Sequence, residues 1–209
     1  MTILKKIFDL FYDHLITPVI NSYSPVKELA LGIGIGLFWG FTPLVGIQMY
    51  VVFMNWLIFK YVFRIKFDVL VGMAMVWISN PLTMVFMYYA FYVSGVYFME
   101  SVGSDIHFVT YESFKLTFQN ILSDELASFW DKAVNSAMYL LYDLGFPMLI
   151  GCLFFAIPVG FGGYFISKPI IIKSRTAKAE KLGIPYEEWR SKFEKNVMFQ
   201  FFKKPPTTL

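Results

Sequence analysis

Two short motifs carry whatever chemistry this sequence offers. One is Thr42-Pro43 followed by Gly46 and Gln48; the other is Asn80-Pro81 followed by Thr83. Thr and Asn are favoured helix N-cap residues, and proline is favoured at the next position. Each pair is therefore expected to restart a helix. A helix start presents unpaired N–H groups and positive partial charge, which receive phosphate or carboxylate. Gln48 adds two donors and two acceptor lone pairs; Asn55 and Ser79 add further polar groups nearby. Thr42, Pro43, Gly46, Gln48, Asn80, Pro81 and Thr83 are thus the candidate contacts for an anionic substrate. A plainer reading uses the same residues: the prolines bend helices, and Gln48 and Asn80 bond the carbonyls so freed.

Other chemistries lack their residues. No Ser/His/Asp or Cys/His set is visible, so no catalytic residue is assigned and the chain is not read as an enzyme. The single cysteine is Cys152, and the two histidines, His14 and His107, are far apart. They form no metal-ligand cluster, and no metal or cofactor is expected. No Asp or Glu lies inside the apolar tracts, which argues against carboxylate-based proton coupling at depth. Nucleic acid is not an expected partner.

The elements that position these motifs are long apolar tracts. The chain is 57% hydrophobic with mean hydropathy +0.56, against about 45–50% apolar for a soluble domain. It reads as an all-α integral membrane protein. Leu29–Phe59 and Val69–Met99 are each 31 residues long, and each is interrupted near its middle by one of the two motifs. A spanning helix needs only about 20 residues, so both tracts must be broken or re-entrant. Two readings of the first tract fit: a single crossing, or a re-entrant hairpin turning near Pro43. The third tract, Leu144–Ser167, suits one further spanning helix. Pro158, Gly160, Gly162 and Gly163 are expected to loosen it, with Lys168 and Pro169 closing it. Gly32, Gly36 and Gly40 form a small-residue row for close helix packing, within the chain in preference to between copies.

Three regions follow. Residues 1–28 read as an N-terminal amphipathic helix, lying on the membrane or packed on the protein body. Residues 29–172 form the membrane domain, with an acidic amphipathic insert at 100–143. A helix within that insert is expected to start at Ser123 and to carry Leu126, Phe129, Trp130 and Val134 on one face. Residues 173–209 form a basic tail with nine Lys/Arg against four Glu, split by Gly183-Ile184-Pro185. Basic flanks favour the cytoplasm. The tail and the short connection at Lys60, Arg64 and Lys66 are therefore placed inside, and the acidic insert outside.

The stretch from Leu29 to Gln48, with Phe41, Pro43, Gly46 and Gln48 spaced as Phe-x-Pro-x-x-Gly-x-Gln, resembles the bacterial domain-of-unknown-function family 2062. Asn80, Pro81 and Thr83, followed by Tyr88, Tyr89 and Gly95, match a second Asn-Pro-x-Thr element, and Gly145 to Gly163 is similar to the family's last span. The resemblance covers about Leu29 to Ile172. It implies the bacterial inner membrane, and a link to envelope glycan or lipid-carrier work, because some relatives are fused to glycosyltransferases. The resulting expectation is a protein that binds, or also translocates, an anionic lipid-linked substrate resembling a polyprenyl phosphate. Its partners would be membrane lipids, a lipid-linked phosphate, and a glycosyltransferase or other envelope protein. The alternative is a non-catalytic membrane scaffold that docks a partner protein.

Overall fold

The computed structural model describes residues 17–44, 46–79, 81–105, 108–110 and 140–194, with scattered positions from 112 to 138. The Ser123 helix, Asn80, most of the N-terminal helix and the tail beyond Glu194 lie outside the described residues. The described regular elements are helical: α1 Thr17–Asn21, α2 Val26–Gly40, α3 Gln48–Tyr61, α4 Val69–Met75, α5 Pro81–Ser101, α6 Phe146–Lys181 and α7 Tyr186–Phe193. A 3-10 turn, Val76–Ile78, extends α4, and a π-helical turn, Leu140–Gly145, leads into α6.

The chain divides into two units, residues 1–80 with 156–209, and residues 81–155. In the first unit, α2 ends in a turn and α3 folds back beside it. Leu31, Ile35 and Trp39 of α2 and Trp56 and Phe59 of α3 pack on one buried cluster of Val52, Phe67, Val69 and Val76. The short α4 runs in the same sense as α2. A Cβ placed on Gly32 would strike the Asp68 carbonyl, and one on Gly36 the Gly72 carbonyl. One on Gly40 would come within 2.8 Å of Ile78 Cγ2. The three glycines thus form the face of α2 against α4, where only a missing side chain permits the approach. Gly34 opens a second face: its Cβ would come within 2.8 Å of the Gly160 carbonyl of α6.

Two local expectations are corrected. Thr42-Pro43 does not start a helix; it ends one. The Phe41 N–H bonds the Leu37 and Phe38 carbonyls, and the Thr42 hydroxyl donates back to the Trp39 carbonyl at 2.6 Å. Proline disfavours the α conformation in the residue before it, so α2 stops there. The next helix waits until Gln48, after Gly46 has turned the chain with φ 80°. Nor does Pro169 close the third tract. Helix α6 continues through Pro158 and Pro169 to Lys181, a run of 36 residues. Ile171, Arg175 and Ala179, spaced four apart, are all buried, and this packed stripe offsets the bond lost at Pro169. The helix ends in a Schellman motif. Gly183, at φ 67°, donates to the Glu180 carbonyl, and Ile184 donates to the Ala179 carbonyl.

The second unit pairs α5 with the first residues of α6. A Cβ on Gly95 would strike the Pro147 carbonyl, and one on Gly151 the Phe91 carbonyl. Around this contact Phe91, Tyr92, Val96, Met99 and Cys152 are buried. Pro81 is the first residue of α5, where its missing N–H costs no helical bond.

Candidate functional site

The polar residues of the first break converge on Gln48. Its side chain is 5% exposed, as is that of Thr42. Gln48 Nε2 donates to the Thr42 carbonyl at 2.7 Å, and Oε1 accepts from the Ser79 hydroxyl at 2.9 Å. One amide therefore ties the end of α2, the start of α3 and the end of the turn after α4. The parallel course of α2 and α4 makes this possible, because both run out at the same level. Pro43 and Gly46 shape the linking turn, and Gly46 has nothing within 4 Å of its Cβ position. Thr83 and Pro81 belong to the second unit and Asn80 lies outside the described residues, so the structure brings together the first-tract candidates and Ser79. Asn55 is turned to its own helix, donating to the Val51 carbonyl at 3.1 Å.

A cavity of about 470 Å³ lies in the same unit, between α2, α3 and the part of α6 from Ile157 to Phe165. Leu31, Ile35, Trp39, Phe59 and Phe161 form most of its wall, and Gly34 and Gly160 form its floor. Trp39, Asn55 and Tyr164 are the lining residues with polar side-chain atoms. Volumes of about 300–1,000 Å³ with mostly apolar walls are typical of small-ligand sites. Two lysines stand at the end where α2 begins. Lys60 follows Phe59 and lies 4.5 Å from the Trp56 ring centroid. Lys168, one turn beyond Tyr164, lies 3.8 Å from that ring. Neither makes an ion pair among the described residues.

Below this end a second polar network holds the unit together, and it is one that sequence reasoning missed. Asp68, 2% exposed, caps α4 by accepting from Val71 N at 3.1 Å. Its other oxygen accepts from the Ser22 and Ser24 hydroxyls at 2.6 and 2.8 Å. Arg175, 4% exposed, donates to the Ser24 carbonyl and pairs with Glu194 at 2.6 Å. It also lies 5.6 Å from the ring centroid of Trp189 of α7, which is buried. The signal in the sequence was Asp68 immediately before an apolar run, an N-cap pattern.

Among the described residues the architecture is all-helical, and one helix, Asp143–Lys181, is long and apolar enough to cross a membrane. Residues 11–180 match the model of a family described as an uncharacterized protein conserved in bacteria (DUF2062), and the chain belongs to that family. No curated protein and no solved structure matches it.

Proposed function

We propose that this is a multi-pass protein of the bacterial inner membrane that binds, and serves to translocate, an anionic lipid-linked substrate of the polyprenyl-phosphate type. The observation that carries the reading is the apolar cavity, with Lys60 and Lys168, neither in an ion pair among the described residues, standing beyond its Phe59 and Tyr164 end. A hydrocarbon chain matches the walls, and an anionic head matches the cations. The break residues Thr42, Pro43, Gly46 and Gln48 then shape the hairpin that forms one wall. Asn80, Pro81 and Thr83 keep their candidacy from the sequence.

Large apolar side chains exposed on three helices support lipid contact: Tyr50 and Met54 on α3, Phe86 and Tyr97 on α5, Ile166 and Ile170 on α6. Helices α2 and α3 have 15 and 14 residues, about 20–23 Å at 1.5 Å per residue. That is short of the hydrocarbon core of about 30 Å, and a re-entrant pair is the arrangement we favour. The basic tail places the C-terminus in the cytoplasm. The scaffold reading has less support, because α7 is already engaged by Arg175 and Tyr23 of its own unit.

Native mass spectrometry with a polyprenyl phosphate and the matching neutral polyprenol tests this. The phosphate should bind better than the alcohol. Replacing Lys60 and Lys168 together by Gln should weaken phosphate binding about tenfold and leave the alcohol unchanged. Equal binding of both ligands to the native protein would remove the anionic substrate.

A further inference from the structure

The second unit contains a separate cavity of about 300 Å³, lined by Tyr88, Tyr89, Tyr92, Phe108, Met148 and Thr110 among others. We infer that this cavity is a binding site for a substituted ammonium ion. The inference does not rest on the lipid-phosphate reading, since it uses different residues and the opposite ligand charge.

The wall is aromatic by construction. Tyr88 and Tyr92 stand four residues apart on α5, hence on one helix face, with Tyr89 beside them. The opposite wall is irregular chain, Phe108–Thr110. It is tied to the helix by a hydrogen bond in which Val109 N–H donates to Tyr92 Oη at 2.7 Å. That bond holds the Phe108 ring 5.4 Å from the Tyr92 ring, inclined at 48°. Four rings and the Met148 thioether therefore line one space that opens to the surface.

Charge selects the occupant. Among the described residues the lining holds no Lys, Arg, Asp or Glu. Residues 81–155 carry seven Asp/Glu against two Lys, and Asp105 and Asp143 lie close in sequence to Phe108 and Leu144 of the wall. By sequence this unit is net negative, which disfavours an anion. A sugar would need several fixed donors and acceptors, whereas the described side chains of the wall offer three phenol oxygens, one of them bonded by Val109, and the Thr110 hydroxyl, already bonded to Ser113. Ring faces attract ammonium groups within about 6 Å, and multiple rings around one cation are the aromatic-cage arrangement. The cation could be free in solution or the headgroup of an amine-bearing lipid; both present the same chemistry.

The experiment is isothermal titration calorimetry of the full-length protein in nanodiscs of phosphatidylglycerol, which lacks an amine. Choline is the probe, and its neutral carbon isostere, neohexanol, is the control. Choline should bind saturably and at least about tenfold more tightly than neohexanol. Tyr89→Leu and Phe108→Leu alter side chains that are 63% and 43% exposed, so the fold should survive. Each should weaken choline about threefold to tenfold. Repeating the titration in phosphatidylethanolamine nanodiscs identifies the source: weaker apparent choline binding assigns the site to a lipid headgroup, and unchanged binding assigns it to a soluble cation. Equal affinity for choline and neohexanol, or no saturable choline binding in phosphatidylglycerol, would overturn the site.

Discussion

Gln48 bonds Ser79, 31 residues away in the sequence, and the Thr42 carbonyl, and so ties the two chain breaks together. A buried polar group left without its partner costs about 1–3 kcal/mol. Gln48→Ala takes the amide donor from the Thr42 carbonyl, while the Ser79 hydroxyl keeps the Val76 carbonyl at 3.1 Å, so it should destabilise the protein by about the lower end of that range in thermal unfolding in detergent. Glu28, just outside the first apolar tract, gives a pH-dependent counterpart. Burial raises its carboxyl above the ordinary range; Lys66 opposes the shift, and Asp68 and Glu194 add to it. The folded protein therefore disfavours the charged form. Its contribution is most favourable below the ordinary carboxyl pKa and is lost as pH rises through the raised value. Glu28→Gln should thus raise Tm near about pH 7 and leave it almost unchanged near about pH 4. A larger gain at the lower pH would contradict the sign. Gln48 was legible in the sequence because an amide among apolar residues needs a partner. Asp68 showed only as an N-cap before an apolar run, and Arg175 and Glu194 not at all, because a charge at the end of a tract reads as a solvated flank. Only the fold brings Ser22 and Ser24 over Asp68 and folds α7 back to Arg175.

At the scale of elements, the glycine rows decide which helices can approach. Gly36→Ala would push a methyl into the Gly72 carbonyl of α4, and overpacking of this kind costs about 1–3 kcal/mol. Gly162 sits on the same long helix as Gly160, but a Cβ there meets only Ile166 Cδ1 at 3.9 Å. Gly162→Ala should therefore stabilise α6 by up to about 1 kcal/mol, through helix propensity. Comparing the two Tm shifts separates a packing glycine from a permissive one. The spacing of Gly32, Gly36 and Gly40 pointed to close packing, and the four-residue period is legible without a structure. The partner was not, since α4 is seven residues long and follows an irregular link. The course of α6 was misread for a related reason. A Lys-Pro pair looks like a terminus until Ile171, Arg175 and Ala179 are seen to be buried in one line.

For the whole molecule, the sequence made the apolar tracts and their breaks plain, and the all-helical fold follows from them. It did not reveal that α2, α3 and α6 leave a cavity between them, because that depends on which faces the glycines turn inward. The central claim is that this cavity holds the hydrocarbon chain of a lipid whose anionic head lies at the Lys60 and Lys168 end. Photolabelling of the native protein with a diazirine placed on the chain of a polyprenyl phosphate tests it most directly. Peptide mapping should find the label on cavity residues such as Ile35, Phe38 and Trp39, and excess unlabelled polyprenyl phosphate should displace it. Label confined to outward residues such as Tyr50, Phe86 and Tyr97, and not displaced by competitor, would contradict the account.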